Sequence, residues 1–301
     1  MKALITGVNG QLGYETANAL AERGAIVCAT GRSKNYTGYP LNDRIQYYSL
    51  DITDNNAVDA LFSRFCPDAL IHCAAWTAVD EAERPDKYSA VYEVNVKGTE
   101  HLARQCKKNN AKMLYISTDY VFDGRGTEPW KPDDRHFSPL NVYGQTKLDG
   151  EFAVTDNLKE SFVVRTAWVF GINGNNFVKT MIQAGKRHDQ VRVVDDQIGN
   201  PTYARDLANL LADMIKTEKY GYYHATNEGE SVSWYEFCRE IYQQAKITAR
   251  IIPVSTEEYG LSAAKRPYNS RLDRSKLTEN GFKLLPSWQD ALSRYLEELG
   301  V

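Results

Sequence analysis

Short apolar runs alternate with longer amphipathic stretches over the first 170 positions, and each apolar run has the length of a strand. Lys2 to Thr6 is the first run; Gly7-Val8-Asn9-Gly10-Gln11-Leu12-Gly13 follows at once, then a helical pattern from Tyr14 to Arg23. Further strands are predicted over Ala25 to Thr30, around Gln46 to Leu50, and over Asp68 to Cys73, Lys112 to Ser117 and Ser161 to Val169. Helical patterns fill the gaps at Asp54 to Phe65, at roughly Asp86 to Asn109 with Asn95 in its middle, and from Tyr143 onward. This alternation predicts an α/β fold, a doubly wound parallel sheet whose ligands sit beyond the carboxyl ends of its strands.

From about Gly171 the strands shorten and spread among helices at Asn176 to Arg187, Tyr203 to Lys216, Ser233 to Ala245 and Ser287 to Leu299. The expected division is a dinucleotide-binding domain over 1–170 and a smaller mixed α/β substrate lobe over 171–301, with some chain crossing between them. The loop from Val121 to Leu140, rich in Gly, Pro, Asp and Arg, exceeds a simple connection and is long enough to cover a ligand.

Composition narrows the function. The 301 residues are 43% hydrophobic and 25% charged with net charge -3, as in an ordinary globular protein without the basic field that nucleic acids or acidic membranes attract. No apolar run approaches membrane-spanning length, and Gly7 breaks the first one too early for a secretion signal. The five cysteines form no C-x-x-C pair, which suits reduced, mostly buried thiols in a cytoplasmic setting. The five histidines are scattered, so no metal centre is expected.

Two stretches carry chemistry. Strand, glycine turn and helix stand in the order a dinucleotide site needs: Gly7, Gly10 and Gly13 let backbone approach a pyrophosphate, and the helix start supplies free N–H groups. The spacing is G-x-x-G-x-x-G, not the G-x-G-x-x-G fingerprint. Tyr143 and Lys147 lie four residues apart, on one face of a helix. A cation there favours phenolate, so Lys147 is expected to lower the Tyr143 pKa toward neutrality; the plain alternative is a packed tyrosine and a solvated lysine.

Other residues fall at the same strand edge. Arg32 stands where NAD-specific sites carry an acid, and its guanidinium suits a 2′-phosphate, which points to NADPH with NADH as the alternative; a solvated arginine is the plain reading. Asp51 and Ile52 close the third strand as an adenine contact or a helix cap, and Ala74 and Ala75 are small enough for a cofactor to lie against them. Thr118 offers a hydroxyl to a substrate oxygen or to local backbone, and Trp168 is a sugar platform or core. The loop Arg266 to Asp273 pairs arginine with tyrosine, which suits a nucleotide diphosphate.

T-G-x-x-G-x-x-G at Thr6 to Gly13, Y-x-x-x-K at Tyr143 to Lys147 and the Thr118 hydroxyl resemble the extended short-chain dehydrogenase/reductase family. Further marks are Ala75-Trp76-Thr77-Ala78-Val79-Asp80, Ser117 to Gly124, Pro139 to Gly144, Arg165 to Gly171, Asn176-Phe177-Val178, Asp195-Asp196-Gln197 and Arg266-Pro267, so the likeness spans nearly the whole chain. The branch it resembles transfers hydride from NAD(P)H to the C4 ketone of dTDP-4-dehydro-L-rhamnose, for cell-surface polysaccharide.

The resemblance implies Tyr143 as proton donor, Thr118 as a second donor to the oxyanion, and Lys147 as holder of the nicotinamide ribose and depressor of the Tyr143 pKa. It implies Asp119 and Trp168 at the sugar, and Gly10, Gln11, Leu12, Arg32, Asp51, Ile52, Cys73, Ala74 and Ala75 along the cofactor. Sugar-nucleotide 4,6-dehydratases carry Thr-Asp-Glu where this chain has Thr118-Asp119-Tyr120, which disfavours dehydration. Some members bind Mg²⁺ through glutamates at a dimer contact; Glu15 corresponds to one of these and the remaining ligands find no match, so monomer and homodimer both stand. Two alternatives stand beside this reading: a non-catalytic, NADP-binding regulatory subunit of the same fold, and a reductase or epimerase acting on a related nucleotide sugar.

Overall fold

Seven parallel strands form one sheet in the order Gly221–His224, β6 (Ser161–Thr166), β5 (Lys112–Thr118), β4 (Ala69–His72), β1 (Lys2–Thr6), β2 (Ile26–Gly31) and β3 (Ile45–Ser49). The computed structural model describes all 301 residues. Chain order reverses between β1 and β4, so the helices after β1 and β4 leave toward opposite sides and open a crevice at that edge. Ala3, Leu4, Ile5, Leu70 and Ile71 are fully buried, because helices cover both faces and leave no polar side for a strand to alternate toward.

The carboxyl-terminal half does not stand apart from this sheet. Gly221–His224 pairs with β6, and the helix Ala204–Met214 packs against the helix Gln11–Glu22. The rest forms a lobe of small sheets and of the helices Phe177–Arg187, Trp234–Gln244 and Trp288–Leu299, joined through Phe237, Ile241, Leu292 and Tyr295.

Three predicted elements differ in detail. The sixth strand stops at Thr166 instead of Val169, because Trp168 takes a left-handed backbone with φ 52° and Val169–Phe170 pairs with Thr202–Tyr203 instead. The single helix over 86 to 109 is built from Tyr88–Tyr92, a π-helical segment Glu93–Gly98, and Thr99–Lys108. Gly98 sits so close to Ile52 that a Cβ would lie 3.1 Å from its carbonyl oxygen, and the widened turn carries Asn95 to Trp76, whose N–H it receives at 2.7 Å.

The third difference is the loop after Val121, which packs on the protein and contributes no residue to the main cleft described below. Phe122, on which Trp130 stacks, and Phe137 fold onto the fully buried Arg165, whose guanidinium donates to Glu151 at 2.8 and 2.7 Å and to the Pro132 carbonyl at 3.2 Å. A buried arginine needs this enclosure, since it stays charged and must fill its donors.

Candidate active site

A cleft of about 900 Å³ lies at the carboxyl ends of β1, β4 and β5, and it is lined by every residue that the family resemblance assigns to cofactor, catalysis or sugar. Its floor is the turn after β1. Gly7 has φ 77°, and a Cβ there would meet Ala74 N at 2.7 Å; one on Gly13 would meet the Gly7 carbonyl oxygen at 2.3 Å. Only glycine allows this approach of turn, helix and β4. Gly10, which precedes the helix Gln11–Glu22, is exposed, and no side chain caps that helix. The free N–H groups of its first turn therefore face the cleft, which is the geometry a pyrophosphate takes.

The buried Asn9 Oδ1 has no partner within the protein, as expected where a ligand group completes a site. Together with the glycine cradle, it shows that the residues present fit a dinucleotide. Arg32 is exposed along the cleft. Asp51 accepts from Thr53 N at 3.0 Å and from its hydroxyl at 2.8 Å, while the cap of the helix Asn55–Phe65 is Asp54. The cap reading of Asp51 therefore falls.

The opposite wall brings together β5 and the helix Val142–Asn157, which Asn141 caps by accepting from Gly144 N at 2.8 Å. Tyr143 lies in the first turn of that helix and Lys147 one turn on. Thr118, the last residue of β5, donates to Asp119 at 3.0 Å and accepts from Tyr120 N at 3.2 Å. Lys147 is 3% exposed; its Nζ donates to the Ile116 carbonyl at 2.7 Å and sits 4.0 Å from the centre of the Tyr115 ring.

The electrostatics correct one expectation. Burial and the neighbouring Asp119 carboxylate push the Tyr143 phenol upward, against the Thr118 hydroxyl, and Lys147 does not reverse this. Lys147 is itself lowered to about 7 by burial, with Glu151 and Cys73 pulling the other way. The effect of Lys147 on the phenol expected from spacing alone does not arise, because a helical turn that leads into a closed cleft desolvates both groups. Burial raises Asp119 to about 6 even though it accepts from Thr118 and Ser270. Burial also raises Cys73 to about 12, so its thiol stays protonated.

Trp168 is half-buried and its ring stacks on Trp234, with centroids 3.5 Å apart and planes 12° apart. A left-handed backbone on a bulky residue costs about 1–3 kcal/mol and persists only where its surroundings impose it. Three aromatic residues of the cleft carry no site role in the sequence analysis. Trp234 opens a helix distant in sequence, Tyr120 packs edge-on to Tyr143 at 5.7 Å, and Trp76 brings a buried Nε1 without a partner. Trp76 and Tyr120 stand in runs that mark the family, after β4 and β5, whereas Trp234 had no signal.

Two further groups stand apart from the cleft. Arg266 is bound to Asp80 at 2.6 Å, holding that carboxyl below the usual carboxylate range, and Arg271 donates to Asn269 at 3.1 Å; neither lines the cleft. Glu15 is buried 3.7 Å from Arg205, and burial raises its carboxyl to about 7, with Glu298, Glu22 and Asp206 adding to the rise against Arg205; within the chain no group of three His, Cys, Asp or Glu side chains is placed to hold an ion.

No helix is long and apolar enough to cross a membrane. The profile of the family described as "RmlD substrate binding domain" matches residues 1–301. The chain is 38% identical over 305 residues to the dTDP-4-dehydrorhamnose reductase of Aggregatibacter actinomycetemcomitans, with 97% of each covered. The crystal structure of a dTDP-4-dehydrorhamnose reductase from Clostridium acetobutylicum superposes with a TM-score of 0.89 at 38% identity over 100% of both chains. That of the Bacillus anthracis enzyme, solved in complex with NADP, gives 0.86 at 39% identity over 99% of both. Fold, site and likeness agree over the full length, and the chain belongs to the dTDP-4-dehydrorhamnose reductase family, a branch of the short-chain dehydrogenase/reductase oxidoreductases.

Proposed function

We propose that this protein reduces the C4 ketone of dTDP-4-dehydro-L-rhamnose to the alcohol of dTDP-L-rhamnose, with NADPH as the preferred reductant and NADH as the alternative. The observation that carries this reading is the convergence of Thr118, Tyr143 and Lys147 on the cleft that also holds the glycine turn. The likeness to the NADP-bound relative supports the choice of cofactor.

When bound, the reduced nicotinamide supplies a hydride to the ketone carbon. The C=O electron pair then moves onto oxygen, and the Tyr143 phenol gives that oxygen its proton. A phenol held above its ordinary pKa keeps the proton until a stronger base, an alkoxide, appears beside it. Thr118 hydrogen-bonds the same oxygen as charge grows on it. Lys147 binds the nicotinamide ribose hydroxyls. Charged, it also stabilises the phenolate left by proton transfer, and bulk solvent restores the lost proton.

Arg32 receives the 2′-phosphate, and Gly7, Gly10, Gln11, Leu12 and Gly13 receive the pyrophosphate. Asp51, Ile52, Cys73, Ala74 and Ala75 flank the remainder of the dinucleotide, and Asp119 and Trp168 contact the sugar. The division between a dinucleotide-binding part over 1–170 and a sugar-binding part over 171–301 belongs to the same proposal.

The test is to supply the purified protein with dTDP-4-dehydro-L-rhamnose and NADPH and to identify the product. Formation of dTDP-L-rhamnose with equal consumption of NADPH supports the reading. Tight NADPH binding without turnover on this or a related 4-ketosugar would favour the regulatory alternative.

A further inference from the structure

We propose that Trp234 is a positioning residue for the sugar subsite, fixing the orientation in which the Trp168 indole meets the sugar; the inference rests on the assignment of Trp168 made above. Trp168 enters the cleft on a backbone that an indole-bearing residue rarely adopts, with φ 52°. What holds it there comes from the carboxyl-terminal lobe. Its ring lies flat on Trp234, 3.5 Å between centroids, and Phe177 packs on Trp234 in turn at 4.5 Å. Its edge rests on Gly199, where an added Cβ would come within 2.9 Å of Trp168 Cε2. Thr202 N donates to the Trp168 carbonyl at 3.1 Å.

Trp234 is itself firmly placed. It is the first residue of the helix Trp234–Gln244, whose start is closed by a capping box between Ser233 and Glu236. The Ser233 hydroxyl also donates to Asp195 at 2.6 Å, which gives the polar loop around Asp195 a structural task. An indole clamped between a second indole and a glycine backbone has one face and one edge spent on the protein. What remains faces the cleft, where an aromatic surface suits the apolar C–H side of a deoxyhexose ring.

The experiment uses the full chain and compares Trp234→Ala, Trp234→Phe and Gly199→Ala with the unaltered protein in three readouts: turnover of dTDP-4-dehydro-L-rhamnose with NADPH, NADPH binding by titration, and the far-ultraviolet circular dichroism of stacked indoles. Trp234→Ala is expected to abolish the indole couplet and raise KM for the sugar nucleotide by roughly five- to tenfold, with a smaller effect on kcat, the size expected for one lost aromatic pair. NADPH affinity stays the same, and Trp234→Phe recovers most of the KM. Gly199→Ala, which presses a methyl group against the other border of Trp168, raises KM in the same direction with Trp234 intact.

An unchanged KM in Trp234→Ala, no recovery in Trp234→Phe, or a loss of NADPH binding in step with KM would overturn the proposal. Should Trp234→Ala fail to fold, Trp234→Phe and Gly199→Ala decide the question, and two unchanged KM values overturn it. Failure of the unaltered protein to turn the sugar over would instead refute the functional reading. Calorimetric binding of dTDP-L-rhamnose would then test Trp234, and equal affinities with and without its indole would count against it.

Discussion

Lys147 Nζ donates to the Ile116 carbonyl at 2.7 Å, so the helix that carries Tyr143 is tied to the strand that delivers Thr118. A second tie runs beside it: Ser117 Oγ donates to Glu151 at 2.5 Å, one helical turn beyond Lys147. Two buried bonds between neighbouring elements set the distance at which a hydroxyl and a phenol face the same space.

Tyr143→Phe removes the transferable proton and keeps the ring that packs on Tyr120. Turnover is expected to fall by about 10²–10⁴-fold, with NADPH affinity unchanged. Steady-state kinetics beside a fluorescence titration measure both, and unaltered turnover would remove Tyr143 from the acid role.

Arg32→Ala tests the reading of the 2′-phosphate. A lost charge-assisted pair costs about 1.5–3 kcal/mol, so NADPH is expected to bind roughly tenfold or more weakly and NADH nearly as before. Equal weakening of both cofactors would show that the guanidinium does not discriminate between them.

The buried lysine predicts a pH dependence of stability. Its folded pKa, lowered to about 7, lies below the unfolded value near 10.4, so the unfolded chain binds more protons between them. The Lys147 contribution should therefore rise as pH climbs from about 7 toward 10 and be flat below 7. Urea unfolding of the ligand-free protein and of Lys147→Met across this range isolates the effect by difference. A pH-independent difference would mean that the ammonium is solvated.

Glu151→Gln strands Arg165, a cation with no exposed surface. Destabilisation by about 3–5 kcal/mol is expected from a buried charge left without its partner. Equilibrium denaturation checks this, and a change below about 1 kcal/mol, the value of an exposed pair, would show that water reaches the guanidinium.

Local chemistry made the sheet and half of the cleft legible in the sequence. The run from Lys2 to Gly13 fixes strand, turn and helix within a dozen residues, because glycine geometry and apolar period act at short range. Thr118, Tyr143 and Lys147 were legible for the same reason, each standing beside a strand or helix boundary with its own signature. Trp234 was not, because its role comes from contact with a residue 66 positions earlier. The fate of Arg266 was also hidden: a loop arginine reads alike whether its partner is a phosphate or, as here, Asp80. The Tyr143 pKa went the wrong way because spacing shows which charges are near and says nothing of how much water they lose.

The most direct test of the account is the product-resolved assay of the unaltered protein beside Tyr143→Phe, each given dTDP-4-dehydro-L-rhamnose and NADPH. The account predicts one dTDP-L-rhamnose formed per NADPH oxidised by the unaltered protein and almost none by the variant. Equal rates in the two proteins, or NADPH bound with no sugar reduced by either, would contradict it.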